Sequence, residues 1–353
     1  MFTTKFIPPN VMSKYITIAL DAMGGDYGPS VTVPAALQAL RENKDIKVIL
    51  VGDQDIISQQ LSQNDAAENE RIVIQHATQT VEMHDLPSFA LRNKKDSSMR
   101  IAINLVKEGV AEACVSAGNT GALMATARFV LKMVSGVDRP AIIVTLPTIK
   151  GHTHVLDMGA NVDTSAENLF EFAVMASALV SAVENSESPT IGLLNIGEEE
   201  IKGNERVKEA ARLLSASNLN YIGYVEGDDI YKGTADVIVC DGFVGNVALK
   251  TTEGLAKLIQ HYMTLEYKRN IFTMLAGIIS MPVLKAFRKR IDPRRYNGAS
   301  LLGLKGIVIK SHGGADILSF ACAIREARLE VLKNVPQKIG QQLDNLLAER
   351  QAV

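Results

Sequence analysis

The chain has 353 residues, 47% of them hydrophobic and 22% charged, which excludes global disorder and allows a substantial core in one large or two ordinary domains. Its formal net charge is -2, from 37 basic and 39 acidic residues, which excludes the strongly basic face that a broad nucleic-acid footprint needs. Its 3 cysteines (Cys114, Cys240, Cys322) stand singly, which excludes a disulfide framework and suits a reduced compartment.

From the N-terminus, Met1–Lys14 holds no apolar run long enough for a signal peptide, and Met12 offers an alternative start. Residues 1–14 therefore read as an extension ahead of a single α/β domain over 15–350. Short β-branched runs then alternate with helical patterns. Strands are predicted at Tyr15–Asp21, Lys47–Gly52, Ile72–Gln75, Ala113–Ser116, Ala141–Leu146, His154–Asp157, Thr190–Asn195, Tyr221–Glu226 and Val237–Cys240. Helices are predicted at Val31–Glu42, Gln54–Ser62, Ser98–Glu108, Gly121–Val134, Ala166–Glu184, Asn204–Ser215 and from Val247 to Ala256. Residues 264–297 break the rhythm and read as a helical insertion, and Ile317–Glu349 is helical with a break at Asn334-Val335-Pro336. The β-then-α order implies a mostly parallel sheet covered by helices on both faces. With Trp absent and aromatics at 5%, its core must be aliphatic. Ligands of such sheets bind beyond the carboxyl ends of strands.

Gly, Asn, Asp and Ser crowd the turns after six predicted strands, and the expectation is that these turns share one sheet edge. They are Asp21-Ala22-Met23-Gly24-Gly25-Asp26, Ser116-Ala117-Gly118-Asn119-Thr120-Gly121, Asp157-Met158-Gly159-Ala160-Asn161, Asn195-Ile196-Gly197-Glu198-Glu199, Asp241-Gly242-Phe243-Val244-Gly245-Asn246 and Lys310-Ser311-His312-Gly313-Gly314. Glycine lets a backbone approach a ligand, and a helix N-terminus adds partial positive charge. A tight capped turn is the plainer reading of any one of them. No GxxxxGK[ST] or GxGxxG is present, so nucleotide binding loses ground. Together with Gly197-Glu198-Glu199-Glu200-Ile201-Lys202-Gly203-Asn204 and Gly298-Ala299-Ser300-Leu301-Leu302-Gly303, these motifs resemble, in order and spacing, the PlsX family of bacterial phosphate acyltransferases over about residues 15 to 335. The resemblance implies a fold similar to the phosphotransacetylase and isocitrate/isopropylmalate dehydrogenase group. It also implies transfer of a long acyl group from acyl carrier protein to inorganic phosphate, an acyl phosphate product for phospholipid synthesis, no cofactor, a homodimer, and a cytoplasmic location loosely attached to the inner face of the plasma membrane.

That reaction needs phosphate aligned with a thioester carbonyl, donors for the oxyanion, and a dry groove for the chain. Lys202 is the candidate to neutralise phosphate or oxyanion, with a solvated lysine beside Glu198, Glu199 and Glu200 as the plain alternative. Asn246 offers an amide donor or an N-cap. His312 reads as general base, phosphate donor or structural residue, and Asp241 as an orienting group or proton acceptor. Asp21, Gly24, Gly25, Ser116, Gly118, Asn119, Thr120, Asp157 and Asn161 are candidates for phosphate and substrate binding, against roles in turns and caps. Cys114 and Cys240 lie in apolar strands without an adjacent His, which favours direct attack over an acyl-enzyme. His152 and His154 share a strand face, but the sequence offers no third ligand, so no metal is expected.

The Ile271–Leu284 run is apolar, too short to span a bilayer, and holds Pro282. After it, Val283, Leu284 and Phe287 share one helical face, and Lys285, Arg288 and Lys289 another, extended by Arg290, Arg294 and Arg295. This suits an anionic membrane surface, an acidic carrier protein, or burial in a dimer interface. The alternatives to long-chain phosphate acyl transfer are a short-chain enzyme using coenzyme A, a decarboxylating dehydrogenase on a related fold, and a non-catalytic carrier-binding scaffold.

Overall fold

The computed structural model describes residues 15–351, so the anticipated extension over 1–14 and the start at Met12 lie outside the described residues. Its strands are β1 (Ile16–Asp21), β2 (Ile46–Gly52), β3 (Ile72–His76), β4 (Ala113–Ser116), β5 (Ala141–Thr148), β6 (Gly151–Leu156), β7 (Ile191–Leu194), β8 (Tyr221–Val225), β9 (Val237–Val239), β10 (Ala299–Leu302) and β11 (Ile307–Lys310). Its helices are α1 (Pro29–Glu42), α2 (Gln54–Gln63), α3 (Pro87–Asn93), α4 (Ser98–Lys107), α5 (Thr120–Leu131), α6 (Ala166–Glu184), α7 (Glu205–Ser215), α8 (Asp229–Lys232), α9 (Gly242–Lys268), α10 (Ile271–Ile291), α11 (Ile317–Lys333) and α12 (Val335–Gln351).

Among the described residues, eleven strands form one sheet in the order β3-β2-β1-β4-β11-β10-β5-β6-β9-β7-β8. Aliphatic runs make the central strands: all of Ile46–Gly52 is buried except Lys47, as a strand covered on both faces requires. Helix α6 is apolar nearly all round because it lies between the sheet and helices α7 and α12. Its start is fixed by a capping box of Ser165 and Asn168. A mostly parallel α/β sheet under helices is thus what forms.

The strand directions carry the main surprise. The strands β3, β2, β1, β4 and β11 run parallel to one another, as do β6, β9, β7 and β8. Between the two blocks, β10 is antiparallel to β11 and to β5, and β5 is antiparallel to β6. Three successive reversals leave the blocks pointing opposite ways. The Gly-rich turns after β1, β4 and β11 therefore form one rim and those after β6, β7 and β9 a second rim that faces the other way, but the register brings the ends of both sets of strands to within about one residue of a common lateral row through Leu20, Val115, Ile309, Ser300, Ile143 and Leu156. The single edge anticipated for all six turns is corrected to two oppositely facing rims that meet at one level of the sheet. The sequence reading had no strand at Ala299–Leu302, and so lacked one of the reversing elements.

The insertion is a long hairpin. Helix α9 continues well past Ala256 because no proline interrupts it, and only Gly242 and Gly245 of its 27 residues are buried. Asn270 caps α10, and Pro282 sits inside that helix without ending it. The two helices pack closely at Gly277, where an added Cβ would stand 3.0 Å from the Tyr267 ring. The apolar segment is longer than the sequence reading held. Ile271–Tyr296 is long and apolar enough to cross a membrane by length and composition alone, and none of its apolar window is buried.

Candidate active site

On the first rim a polar network is built under the turns. Asp21, 2% exposed at the end of β1, accepts the hydroxyls of Ser98 and Ser116, each at 2.6 Å. Burial pushes its carboxyl up, against those two hydroxyls and the Gly24 and Met23 N–H groups. The Ser116 hydroxyl in turn accepts the Gly118 N–H at 3.0 Å. Gly24 is needed here because a Cβ would lie 2.5 Å from the Asp21 carboxylate. Gly25 (φ +89°) lets Asp26 donate its N–H to the Gly313 carbonyl at 2.9 Å, joining the β1 and β11 turns.

Lys310 ends β11 beneath this network, 8% exposed, with its ammonium on the carbonyls of Ala117 and Ser311. Burial pushes it down to about 8, opposed by the charges of Asp21 and Asp26. Asn297 clasps the same turn, donating to the Ser311 hydroxyl at 2.7 Å and accepting the His312 N–H at 3.1 Å. His312 itself faces solvent and accepts the Gly314 N–H at Nδ1, 3.1 Å away. The neutral ring proton therefore sits on Nε2, so the imidazole offers a donor outward, which suits an anion better than proton abstraction. Burial also holds its pKa down, keeping the ring neutral near pH 7.

Besides Asp21, two of the anticipated phosphate ligands on this rim already have partners. The Ser116 side chain is fully buried within the network. Asn119 caps α5 through the Ala122 N–H, and its amide donates to the carbonyls of Met83 and Asp85. Thr120, the first residue of α5, is exposed.

The second rim brings together Asp157, Asn161, Asp241 and Asn246, with Lys202 on its turn after β7. Asp157 is fully buried and accepts N–H groups from Ile142, Ala160 and Asn161, plus the Asn161 side-chain amide. Burial pushes this carboxyl up, yet both oxygens already accept two donors, so a carboxyl proton would have to face an N–H. The group is a carboxylate that holds the turn. Asn161 extends the hold to the Pro140 carbonyl, and its own carbonyl accepts the Gly242 N–H at the head of α9. The helix head approaches so closely that a Cβ at Gly245 would lie 2.0 Å from the Asp157 carbonyl oxygen. Asp241 caps α9, accepting the Val244 N–H at 2.8 Å.

Asn246 is exposed one turn into α9, and Gly159 (φ +117°) lies against its side chain. Lys202 is half-exposed and ion-paired with Glu199 at 2.7 Å, which raises its pKa and keeps it charged. Arg206, a residue the sequence reading missed, points a half-exposed guanidinium toward Asp241 at 3.9 Å. Around these polar groups stand exposed apolar side chains: Val162, Ile196, Ile201, Phe243, Val244 and Val247. Of the anticipated catalytic residues, then, Lys202, Asn246 and Asp241 share one rim, and His312 stands on the other. The two rims are linked by α9, whose Lys250 and Glu253 come near enough for their charges to act on His312.

The sequence of this chain matches the profile of a family described as fatty acid synthesis protein over residues 16–338. The chain belongs to that family. It is an acyltransferase. A phosphate acyltransferase of Nitrosococcus oceani is 61% identical over 338 residues, covering 96% of this chain and 99% of that protein. One from Methylococcus capsulatus is 61% identical over 334 residues, covering 95% and 98%. One from Legionella pneumophila is 58% identical over 335 residues, covering 95% and 98%. Among solved structures, the EutD phosphotransacetylase of Staphylococcus aureus superposes with a TM-score of 0.58 at 17% identity, covering 92% of this chain and 94% of that one. A phosphotransacetylase of Streptococcus pyogenes gives a TM-score of 0.58 at 17% identity, covering 93% and 95%. Both establish the fold.

For a member of the fatty acid synthesis protein family, three further placements matter. Cys114 and Cys240 are buried, and burial pushes both thiols well above the ordinary range, so neither is a ready nucleophile. Lys285, Arg288, Lys289, Arg290 and Phe287 are all exposed on α10. Arg294 is not free to extend that basic face: it is ion-paired with Asp292 at 2.7 Å and Asp316 at 2.8 Å. His152 and His154 do have a third partner, Glu184, whose single oxygen Oε1 lies 2.5 Å from Nε2 of each ring. Those two bonds hold the Glu184 carboxyl far below its usual range. Arg206 and Glu184 were illegible as site residues because each lies on a helix whose neighbours are set only by packing.

Proposed function

We propose that this acyltransferase moves a long-chain acyl group from acyl carrier protein to inorganic phosphate, with the reacting groups held on the second rim. The observation that carries the reading is the company Lys202, Arg206 and Asn246 keep. Arg206 reaches to 3.9 Å of Asp241, the cap of a 27-residue helix that carries Asn246, and Lys202 lies on the turn after β7, on the same rim, with exposed apolar side chains on these turns. Cations and a helix N-terminus suit a phosphate dianion and a developing oxyanion. The exposed apolar side chains suit an acyl chain.

In the proposed step, a phosphate oxygen attacks the thioester carbonyl. A C–O bond forms, the C–S bond breaks, and the carrier leaves as a thiolate that takes the proton of hydrogen phosphate. Both the thioester and the acyl phosphate are activated, so the exchange needs no nucleotide. Buried thiols favour this direct attack over a covalent acyl-enzyme. The exposed apolar and basic faces of α10 support a homodimer, carrier docking and peripheral contact with an anionic membrane surface inside the cell.

The test is to incubate the protein with palmitoyl-carrier protein and phosphate, trap acyl phosphate with hydroxylamine, and repeat with acetyl-coenzyme A. Phosphate-dependent acyl phosphate from the long-chain carrier, and far less from acetyl-coenzyme A, supports the reading. Turnover only with acetyl-coenzyme A overturns the donor assignment, and no turnover with either overturns the reaction.

A further inference from the structure

We propose that His152, His154 and Glu184 form a binding site for one divalent transition-metal cation of the zinc type. Residues at alternate positions of a strand point to one face, so β6 projects both imidazoles the same way. Their rings meet edge to face, 5.3 Å apart at 89°. The last residue of α6 brings its carboxylate between them, and one ligand atom from each residue lies within 4.8 Å of the others.

Two imidazole nitrogens and one carboxylate oxygen are the donor set that zinc accepts in open, three-ligand sites. Zinc–ligand bonds of ~2.0–2.2 Å place donors ~3.3 Å apart around a tetrahedral ion. The 2.5 Å contacts at Glu184 must therefore open by under ~1 Å, and the half-exposed His152 side chain has room to swing. The outer surroundings agree. The Thr145 hydroxyl lies 3.1 Å from Nδ1 of His154, where it can accept the ring proton and leave Nε2 bare for metal. Glu184 ends α6, and a helix C-terminus favours a cation. Glu326 of α11 lies near Glu184, and burial together with the Glu184 charge pushes its carboxyl up to about 7, so a nearby cation would favour its charged form. His152 and Glu184 remain 40% and 29% exposed, so a water can complete the shell.

The site is separate from the candidate active site. It lies at the amino end of β6, the end opposite the Asp157 turn. A bound ion would staple the last turn of α6 to the hairpin of β5 and β6, and so stiffen the strand that carries that turn.

The experiment uses the full chain, stripped with a chelator and returned to metal-free buffer at pH 7.5. Cobalt(II) is titrated in while its visible ligand-field absorption is followed, and zinc is then added to displace it. One equivalent of cobalt should give absorption that zinc abolishes, and zinc should raise the melting temperature. His152→Ala and Glu184→Ala should each weaken binding at least ~10-fold. His152→Ala lies at a half-exposed position and should melt like the metal-free parent. Absence of stoichiometric absorption overturns the proposal, and so does absorption undiminished in His152→Ala.

Discussion

Replacing Asp157 by Asn changes one atom and should disable the second rim. Both carboxylate oxygens are in use: Oδ1 accepts the Ile142 and Ala160 N–H groups, and Oδ2 accepts two from Asn161. In Asn one of those oxygens becomes an NH₂, so two buried N–H donors face another donor. An orphaned buried donor costs ~1–3 kcal/mol, which gives ~2–6 kcal/mol for the pair. At ~2.1 cal/mol/K of unfolding entropy per residue, a chain of 353 residues loses about 1.4 °C of melting temperature per kcal/mol. The expected drop is therefore ~3–8 °C. Because the Asn161 carbonyl receives the Gly242 N–H, the head of α9 should loosen too, and acyl transfer should fall with it. Differential scanning fluorimetry and amide exchange at Ile142 and Asn161 measure both effects. A melting temperature within ~1 °C of the parent, with unchanged exchange, would refute the four-donor account.

Lys202→Ala should lower kcat/KM for acyl transfer by ~10²–10³-fold, the usual loss for one transition-state donor, without moving the melting temperature. Unchanged turnover would remove Lys202 from the site. Gly245→Ala forces a Cβ to within 2.0 Å of the Asp157 carbonyl oxygen, so α9 must move off the turn. A loss of ~1–3 kcal/mol in urea unfolding is expected, and a neutral result would contradict the close packing. Lys310 is held down to about 8 by burial, so its proton is disfavoured in the fold relative to the ordinary 10.5. That cost is full below pH 8 and fades as pH climbs through 10.5, so the parent should gain about 3 kcal/mol over Lys310→Met across that window. Parallel stability curves would rule this out. Reversing charge at Lys285 and Arg288 should weaken binding to anionic vesicles and slow turnover with carrier protein, with a smaller effect at high salt. Equal vesicle binding by both proteins would exclude that face.

The sequence by itself determined the local pieces. Strand and helix positions follow from apolar periodicity, which is why Ala113–Ser116 and Ala166–Glu184 are found at their predicted bounds. A helix cap such as Asn119 follows from a side chain that bonds the nearest free N–H group, whereas the cap of α9 is Asp241 and not Asn246, because the helix begins at Gly242, five residues ahead of the predicted Val247. The Gly-rich turns were equally legible, because a glycine at positive φ or in close backbone contact leaves its mark in the letter itself. Tertiary structure alone decided which turns meet. The antiparallel pairings of β10 and β5 reverse half the sheet, and pairing direction is a long-range choice that no window of neighbouring residues encodes. The same holds for Glu184, which reaches two histidines 30 and 32 positions away only after α6 has packed across the strands.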